Sequence, residues 1–239
     1  MAGVRASELL KALAAGAFAD ALRPVLKGFA NPSFSQFGED VALLAQHSGA
    51  GPGVYVDVGA FHPTLYSNTF AFYLRGWRGV LIEPNPRFHR LIRRLRPRDR
   101  LVPCGVSGAP ARLTYYEYAD PAFNTFSTEQ AEGLEARGRA PDRTTAIETR
   151  PLRQILAGAD CPPRFDLMSV DCEGYDLEVL ESNDWSSYRP ALIVVEDHQL
   201  YNAGPGAGQG SDIGRLLDGE GYALASMIKY SAIYRDRSA

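Results

Sequence analysis

The stretch GVYVDVGAFHPTLYSNTFAFYLRGWRGVLIEPNP, residues 53–86, constrains the fold of this chain more than any other. An apolar strand over residues 54–58 is followed by a glycine turn, a helical segment over 65–75 and a second apolar strand over 79–83. A strand, a helix and a strand in this order predict a crossover between two parallel strands. Continuous apolar strands are typical of a parallel sheet covered on both faces, so we expect an α/β fold.

The same alternation continues beyond residue 86 with one interruption. Further sheet strands are expected at residues 101–106, 165–170 and 191–195, and two closing strands at 222–228 and 231–234 should form an antiparallel pair. Residues 119–143 are polar and keep neither the helical nor the strand period. They are therefore interpreted as a flexible, lid-like insertion within a main domain that spans residues 35–239.

Residues 1–34 are predicted to form an N-terminal helical extension, because their apolar residues recur at helical spacing. Packing on the main domain or in a homodimer is the expected role, and a membrane-surface role is the alternative. Acidic and basic residues interrupt the segment, which argues against a signal peptide. No apolar run is long enough to cross a membrane, so stable membrane insertion is not expected.

Charge and cysteine content narrow the function classes. The formal net charge is −3, which argues against nucleic acid as a partner. The arginine-rich stretch 87–100 keeps helical spacing of its apolar residues, so its arginines are interpreted as the solvent face of a helix, with a phosphate-contacting patch as the alternative. Three cysteines, Cys104, Cys161 and Cys172, show no metal-binding spacing, and a reduced, cytoplasmic location is predicted.

Acidic residues follow or end four of the predicted strands. In parallel sheets of this kind ligands bind beyond the carboxyl ends of the strands. A single acid at a strand end is explained equally well as a helix cap. Four acids at one edge are harder to explain by capping, because buried carboxylates are costly without partners. The four are Asp57, Glu83, Asp171 and Glu196.

Two of these acids indicate the ligand. Glu83 lies about 24 positions after Gly59, where nucleotide-binding crossovers place an acid that contacts ribose. The loop after the first strand lacks the second and third glycines that a dinucleotide site requires, and Asp57 would repel a pyrophosphate. A nucleoside carrying positive groups and no phosphate fits better, which favours S-adenosylmethionine.

Six motifs together resemble the FkbM-type methyltransferases. The resemblance implies the class I methyltransferase fold, a Rossmann-like, mostly parallel seven-stranded sheet with helices on both faces and a terminal antiparallel strand. It also implies S-adenosylmethionine as the methyl donor and O-methylation, often of sugar hydroxyls. The motifs are SQFGED (35–40), VDVGAFHPTLYSNT (56–69), GWRGVLIEPNP (76–86), GVS (105–107), SVDCEGYDLEVL (169–180) and YRPALIVVE (188–196).

The resemblance also implies which residues contact the cofactor. Asp57 and Gly59 would line its methionine part, Ser67 and Asn68 would reach its carboxylate, and Glu83 would bind the ribose. Asn85, Val106 and Ser107 would lie near the adenine, and Gln36 and Asp40 would cover the outer side. Asp171 completes the set of expected cofactor-contacting residues.

Transfer to an alcohol requires a base or a metal, because a neutral hydroxyl is a weak nucleophile. Asp171, Glu196, Asp197 and His198 follow two neighbouring strands and are predicted to hold Mg or Mn, as in metal-dependent O-methyltransferases of this fold. The alternative is metal-free catalysis with His198 or Asp171 as general base. Glu196 is also expected to be a catalytic residue. Glu173 is either a further ligand or a helix cap.

The expected reaction partner is a small-molecule or glycan hydroxyl acceptor. Aromatic residues near the insertion are interpreted as a sugar-stacking wall or, equally, as core: Tyr115, Tyr116, Tyr118, Phe123 and Phe126. Two other functions compete with methyl transfer. One is a nucleotide-dependent oxidoreductase, which the single glycine and Asp57 disfavour. The other is a catalytically silent binding domain, which has no reason to keep four acids at one edge.

Overall fold

A computed structural model describes residues 32–47, 49, 51–204 and 210–238. The chain divides into two compact units, residues 1–33 and 34–239. Residues 1–31 of the predicted N-terminal extension lie outside the described residues, so that helix stays a prediction.

The described part of the second unit contains ten strands and eight α-helices. The strands are β1 (Val54–Val58), β2 (Arg78–Ile82), β3 (Arg100–Val102), β4 (Gly105–Val106), β5 (Ala111–Glu117), β6 (Arg143–Arg150), β7 (Arg164–Val170), β8 (Arg189–Glu196), β9 (Tyr222–Ile228) and β10 (Ser231–Asp236). The helices are α1 (Glu39–Gln46), α2 (Phe70–Leu74), α3 (Pro86–Leu95), α4 (Thr128–Ala136), α5 (Leu152–Gly158), α6 (Asp176–Glu181), α7 (His198–Ala203) and α8 (Asp212–Gly219).

Seven strands form the main sheet in the order β3-β2-β1-β7-β8-β10-β9. All neighbours are parallel except β10, which is antiparallel to both β8 and β9. This confirms the expected mostly parallel seven-stranded sheet of the class I methyltransferase fold. The register aligns Val58 with Ile82 and Val170, and Val170 with Val195, so the carboxyl ends of four strands lie level at one edge.

Both faces of the main sheet are covered. Successive side chains of a strand point to opposite faces. Tyr55 and Leu81 accordingly belong to one buried apolar cluster, and Val56 and Val80 belong to another. This two-sided core explains the continuous apolar runs of β1 and β2.

A second, three-stranded sheet was not predicted. The strand expected over residues 101–106 is confirmed only at its start: β3 ends at Val102, and β4 pairs instead with β6, which also pairs with β5. Pro103 lies at the break, and it cannot donate the backbone hydrogen bond that would continue the ladder. The chain therefore leaves the main sheet at this point, and Gly105 and Val106 are carried to the rim of the ligand edge.

The predicted insertion over residues 119–143 has regular structure. It contains a 3-10 turn at Pro121–Phe123 and helix α4. Thr125 forms a bridge with Tyr116 of β5, and its hydroxyl donates to the carbonyl of Glu173 at 2.8 Å. The segment is thus attached to the turn after β7, and its movement as a lid stays a prediction.

The predicted helix over residues 65–75 is shorter than expected. Helix α2 begins at Phe70, and the preceding loop includes Phe61 and Tyr66 with positive φ angles of 49° and 56°. The His62 Nδ1 accepts hydrogen bonds from the amides of Thr64 and Leu65 at 3.2 and 3.1 Å, which stabilises this loop. Polar capping thus outweighs helical propensity over the first half of the segment.

None of the helices in the described ranges is long and apolar enough to span a membrane. The three cysteines are free thiols, with Cys104 and Cys161 buried and Cys172 partly buried. The predicted cytoplasmic location is not tested by either observation.

Candidate active site

A cleft of about 1020 Å³, including space continuous with solvent, lies at the carboxyl edge of the main sheet. It brings together nine of the eleven residues expected to contact the cofactor. They come from the turn before α1, the ends of β1, β2, β4 and β7, and the loop before α2. The nine are Gln36, Asp57, Gly59, Ser67, Asn68, Glu83, Asn85, Val106 and Asp171.

Gly59 is required where the first strand turns out of the sheet. Its φ angle is 77°, in the left-handed region that favours glycine. Its amide donates to the carbonyl of Ile82 at 3.0 Å. A Cβ at this position would lie 1.9 Å from the carbonyl oxygen of Asp171. The single tight glycine therefore permits close approach of the β1 and β7 ends and leaves the cleft floor open.

Glu83 is buried at the end of β2, where two backbone amides hold its carboxylate. The amides of Phe61 and Asn85 each donate to one of its oxygens at 2.6 Å. Burial raises the pKa of Glu83 to about 7, although both amides lower it. Each oxygen keeps a second lone pair, so this carboxylate can also accept from two ribose hydroxyls.

Asp57 is also buried, and its carboxylate accepts a hydrogen bond from the Thr69 hydroxyl at 2.5 Å. The guanidinium of Arg96 lies 4.0 Å away. Burial raises the pKa of Asp57 above its usual value, and Arg96 opposes that shift. The predicted solvent face of the arginine-rich stretch is thus wrong for Arg96, which is fully buried, whereas Arg93 and Arg94 on α3 are exposed.

Two of the expected cofactor residues do not line the cleft. Asp40 accepts hydrogen bonds from the Phe34 amide at 2.7 Å and the Ser35 hydroxyl at 2.9 Å, so it organises the turn that presents Gln36. The Ser107 hydroxyl lies 2.7 Å from the carbonyl oxygen of Ala109. It faces the three-stranded sheet, and its neighbour Val106 lines the cleft instead.

Three carboxyl groups meet beside the cleft, and two of them, Asp171 and Glu173, line it. Asp171, Glu173 and Glu196 each offer an oxygen, and these oxygens all lie within 4.8 Å of one another. Desolvation, and then the negative charges of Glu196 and Glu173, raise the pKa of Asp171 well above its usual range. The Asp171 side chain is exposed to water in the cleft, which weakens the effect of desolvation. Repulsion among the three carboxylates is therefore the main cause of its raised pKa.

The same repulsion acts on Glu173, whose pKa is raised to about 9 by burial and then by Glu196. Its φ angle of 51° is unusual for a glutamate and turns the side chain toward the other two acids. Three carboxyls this close hold fewer than three negative charges at neutral pH unless a cation joins them. The group is thus suited to bind a proton or a cation.

Asp176 was missed by the sequence analysis although it shapes this turn. Its two carboxylate oxygens accept from the amides of Cys172 and Gly174 at 2.9 and 3.2 Å. Burial raises the pKa of Asp176 to about 7. An aspartate two residues after a glycine at a strand end is a recognisable turn signal. It fixes the backbone that carries Asp171 and Glu173.

Asp197 and His198 do not join Asp171 as the sequence analysis expected. The buried Asp197 caps α7, accepting from the Leu200 amide at 2.8 Å and the Ser211 hydroxyl at 2.5 Å. Since neighbouring residues of an extended chain point to opposite sides, Asp197 faces away from Glu196. His198 is half exposed at the rim, with Nε2 3.3 Å from Glu196 Oε2, and this carboxylate raises the pKa of the imidazole.

The aromatic residues near the insertion divide between the two interpretations. Tyr115 and Phe126 line the cleft, with ring centroids 4.7 Å apart. Tyr118 is buried, and the Phe123 ring is covered by the Arg139 guanidinium at 4.0 Å. A wall open to a ligand is therefore formed by the first pair.

The family model described as the methyltransferase FkbM domain matches residues 57–224, more than half of the chain. No curated protein matches the chain.

Solved structures that are similar to the chain include two methyltransferases. One is the Burkholderia thailandensis 1,6-didemethyltoxoflavin-N1-methyltransferase, solved with 1,6-didemethyltoxoflavin and S-adenosylhomocysteine (TM-score 0.44, 13% identity, 99% of this chain and 92% of that chain). The other is the precorrin-6y C5,15-methyltransferase from Geobacter metallireducens GS-15 (TM-score 0.41, 13% identity, 82% and 86%).

Proposed function

Because this chain belongs to the FkbM methyltransferase family, we propose that it methylates a hydroxyl oxygen of a sugar or a glycosylated metabolite or polysaccharide. It is an S-adenosylmethionine-dependent methyltransferase. One observation carries the choice of a hydroxyl acceptor. The cluster of three carboxyl groups from Asp171, Glu173 and Glu196 lies beside the cofactor cleft. These carboxylates are the proton acceptors that transfer to an alcohol requires.

The cofactor is held in the cleft by groups of matching chemistry. The Glu83 carboxylate, which the amides of Phe61 and Asn85 keep in place, would accept from both ribose hydroxyls. Asp57 would bind the ammonium of the methionine end, and Ser67 and Asn68 would bind its carboxylate. Val106 and Asn85 would contact the adenine. These contacts bind a nucleoside without phosphate.

The transfer is an in-line displacement at the methyl carbon. The acceptor oxygen forms the new O–C bond as the S–C bond breaks, and S-adenosylhomocysteine leaves. The hydroxyl proton passes to a carboxylate of the Asp171 group. Because burial and mutual repulsion raise the pKa values of Asp171 and Glu173, each of them in its ionised form is a better proton acceptor than an isolated carboxylate. His198, beside Glu196, relays that proton to solvent.

A divalent cation fits the same group. Three carboxylate oxygens within 4.8 Å form a donor set that Mg or Mn prefers, and the repulsion among them is relieved by a cation. Asp171, Glu173 and Glu196 would hold it, and His198 lies at the margin. When bound, it would polarise the acceptor hydroxyl and lower its pKa. Asp197 is excluded because both of its oxygens are occupied as a cap.

The acceptor class also has support from the cleft wall. Tyr115 and Phe126 line the cleft beside Asn124 and Thr125. Aromatic faces with adjacent polar groups suit a sugar ring, whose one face is apolar and whose edge carries hydroxyls. Family membership argues against the oxidoreductase and the silent binding domain, and the latter would show no methyl transfer.

The test is a transfer assay with methyl-labelled S-adenosylmethionine and a panel of sugars, glycosides and non-sugar alcohols. Product analysis by NMR should show an O-methyl group on a sugar, with the rate reduced by EDTA and restored by Mg or Mn. Transfer to nitrogen or carbon, or no transfer to any sugar, would contradict the proposal. A transfer rate that EDTA does not change would show that no cation takes part. The carboxylates of Asp171, Glu173 and Glu196 would then act as the base without a metal.

A further inference from the structure

The Arg96 guanidinium is fully buried beneath the cofactor cleft, at the C-cap of α3. It lies between two tyrosines, with Cζ 5.3 and 5.4 Å from the ring centroids of Tyr55 and Tyr73. A buried arginine without partners would be costly, so its hydrogen bonds indicate why it is there.

Four N–H groups of Arg96 donate hydrogen bonds to side chains. Nε donates to Asp99 at 2.7 Å, and Nη2 donates to the Tyr55 hydroxyl at 2.8 Å and to the Thr69 hydroxyl at 2.9 Å. Nη1 donates to the Ser67 hydroxyl at 3.4 Å. Asp99 and Tyr55 account for one side of the guanidinium, and the other side reaches residues of the cofactor cleft.

Thr69 is the link between Arg96 and the cleft. It occupies the N-cap of α2 without using its side chain as a cap. A threonine at this position ordinarily accepts from a helix amide. Here Ser67 accepts from the Phe70 amide, while the Thr69 hydroxyl accepts from Arg96 and donates to Asp57 at 2.5 Å. The capping function is thus transferred to Ser67, and Thr69 joins Arg96 to Asp57.

The charges of this network are not balanced. Arg96 carries one positive charge, and Asp99, which is hydrogen-bonded to it, carries one negative charge. Asp57 adds a second negative charge at 4.0 Å from the guanidinium and lines the cleft. One negative charge is therefore presented to the cleft at a fixed place, which suits a cationic group of a ligand.

We propose that Arg96 is a positioning residue that acts through Thr69 and Ser67 to hold the Asp57 carboxylate and the Ser67 hydroxyl against the amino-acid end of the cofactor. The inference rests on the proposed placement of the methionine end beside Asp57. It goes further in assigning a role to a residue outside the cleft. Glu83, which faces the ribose, is held by backbone amides and makes no contact with Arg96 among the hydrogen bonds described above.

The network therefore has a selective consequence. Disturbing Arg96 or Thr69 weakens recognition of the amino-acid end and leaves recognition of the adenosine unchanged. Two ligands separate these parts. S-adenosylhomocysteine carries both ends, and 5′-methylthioadenosine carries the adenosine alone.

Calorimetric titration of both ligands into the full chain tests the inference. We expect Arg96→Gln and Thr69→Val each to lower the affinity for S-adenosylhomocysteine by tenfold or more. The affinity for 5′-methylthioadenosine should fall by less than twofold. Thr69→Ser keeps the hydroxyl and should restore affinity. Arg93→Gln, an exposed arginine of α3, is the matched control and should leave both affinities unchanged.

Parallel loss of both ligands would mean a purely structural role and would overturn the inference, as would unchanged binding of S-adenosylhomocysteine. Should Arg96→Gln fail to fold, the Thr69→Val and Thr69→Ser pair carries the same test, because it leaves the Arg96–Asp99 ion pair in place. The wild type separates this inference from the proposed function. If the wild type binds neither ligand, the cofactor assignment fails and the inference fails with it.

Discussion

Gly59 and Asp171 approach so closely that a Cβ on Gly59 would lie 1.9 Å from the Asp171 carbonyl oxygen. The contact joins the turn that carries the cofactor residues to the strand end that carries the carboxyl group. The proposed donor site and the proposed acceptor-activating acids therefore lie at the same edge of the sheet.

Gly59→Ala should disrupt this junction. The alanine meets backbone rather than a flexible side chain and also adopts a φ angle of 77°, so two unfavourable effects combine. We expect a destabilisation of about 2 kcal/mol or more and loss of S-adenosylmethionine binding. Thermal unfolding and calorimetry check this, with Gly108→Ala as the control because open space surrounds that position. Full binding by Gly59→Ala would contradict the account.

Glu83→Ala should lower the affinity for S-adenosylmethionine about a hundredfold, because the two proposed hydrogen bonds from the ribose hydroxyls to the carboxylate are lost. The amides of Phe61 and Asn85 also lose their partner, so some stability is lost as well. Calorimetry on folded protein measures the affinity. Glu181→Ala, at an exposed position of α6, should bind as the wild type does. An unchanged affinity in Glu83→Ala would remove the ribose assignment.

Glu196→Gln should reduce methyl transfer about 10²- to 10⁴-fold while S-adenosylmethionine affinity changes little, because the group acts on the acceptor proton. Asp197→Ala should do the opposite. It removes a helix cap and costs about 1–2 kcal/mol of stability, with transfer by the folded enzyme retained. Steady-state rates and thermal unfolding separate the two. Equal rate losses in both variants would restore Asp197 to the site.

The stability of the ligand-free protein should fall as the pH rises from about 4.5 to about 9. Folding raises the pKa of Glu83 to about 7 and that of Glu173 to about 9, so the folded state binds more protons than the unfolded chain across this window. The free energy of unfolding therefore decreases as the pH rises across this window.

Thermal unfolding at several pH values in one buffer system measures this. Glu173→Gln should flatten the upper part of the curve, between about pH 7 and pH 9, because the neutral side chain no longer titrates. A free energy of unfolding that rises with pH over the same range would contradict this prediction. It would mean that ionising these carboxyls does not destabilise the folded protein.

The sheet was predictable because its strands are continuous apolar runs that end together. The residues after Val58, Ile82 and Val170 could therefore be assigned to one edge from the pattern of apolar and polar residues. The second sheet was not predictable, because β4 is two residues long and pairs with a strand more than forty residues away. Local sequence carries no signal for such a pairing.

The site was predicted in part for equally physical reasons. Glu196 and Asp197 were both expected to face the same ligand, although the alternation of side chains in an extended chain places them on opposite sides. Arg96 was assigned to solvent from helical periodicity, which holds only as far as Leu95, where α3 ends. The C-cap residue leaves that periodicity and enters the protein interior.

The most direct test of the central claim is a calorimetric titration of the wild-type protein with S-adenosylmethionine, with NAD as the control ligand. The account predicts saturable binding of one S-adenosylmethionine per chain and no binding of NAD, because the cleft offers Asp57 and Glu83, and the turn after β1 carries one glycine, Gly59, where a dinucleotide site has three. Binding of NAD, or no binding of S-adenosylmethionine, would contradict it.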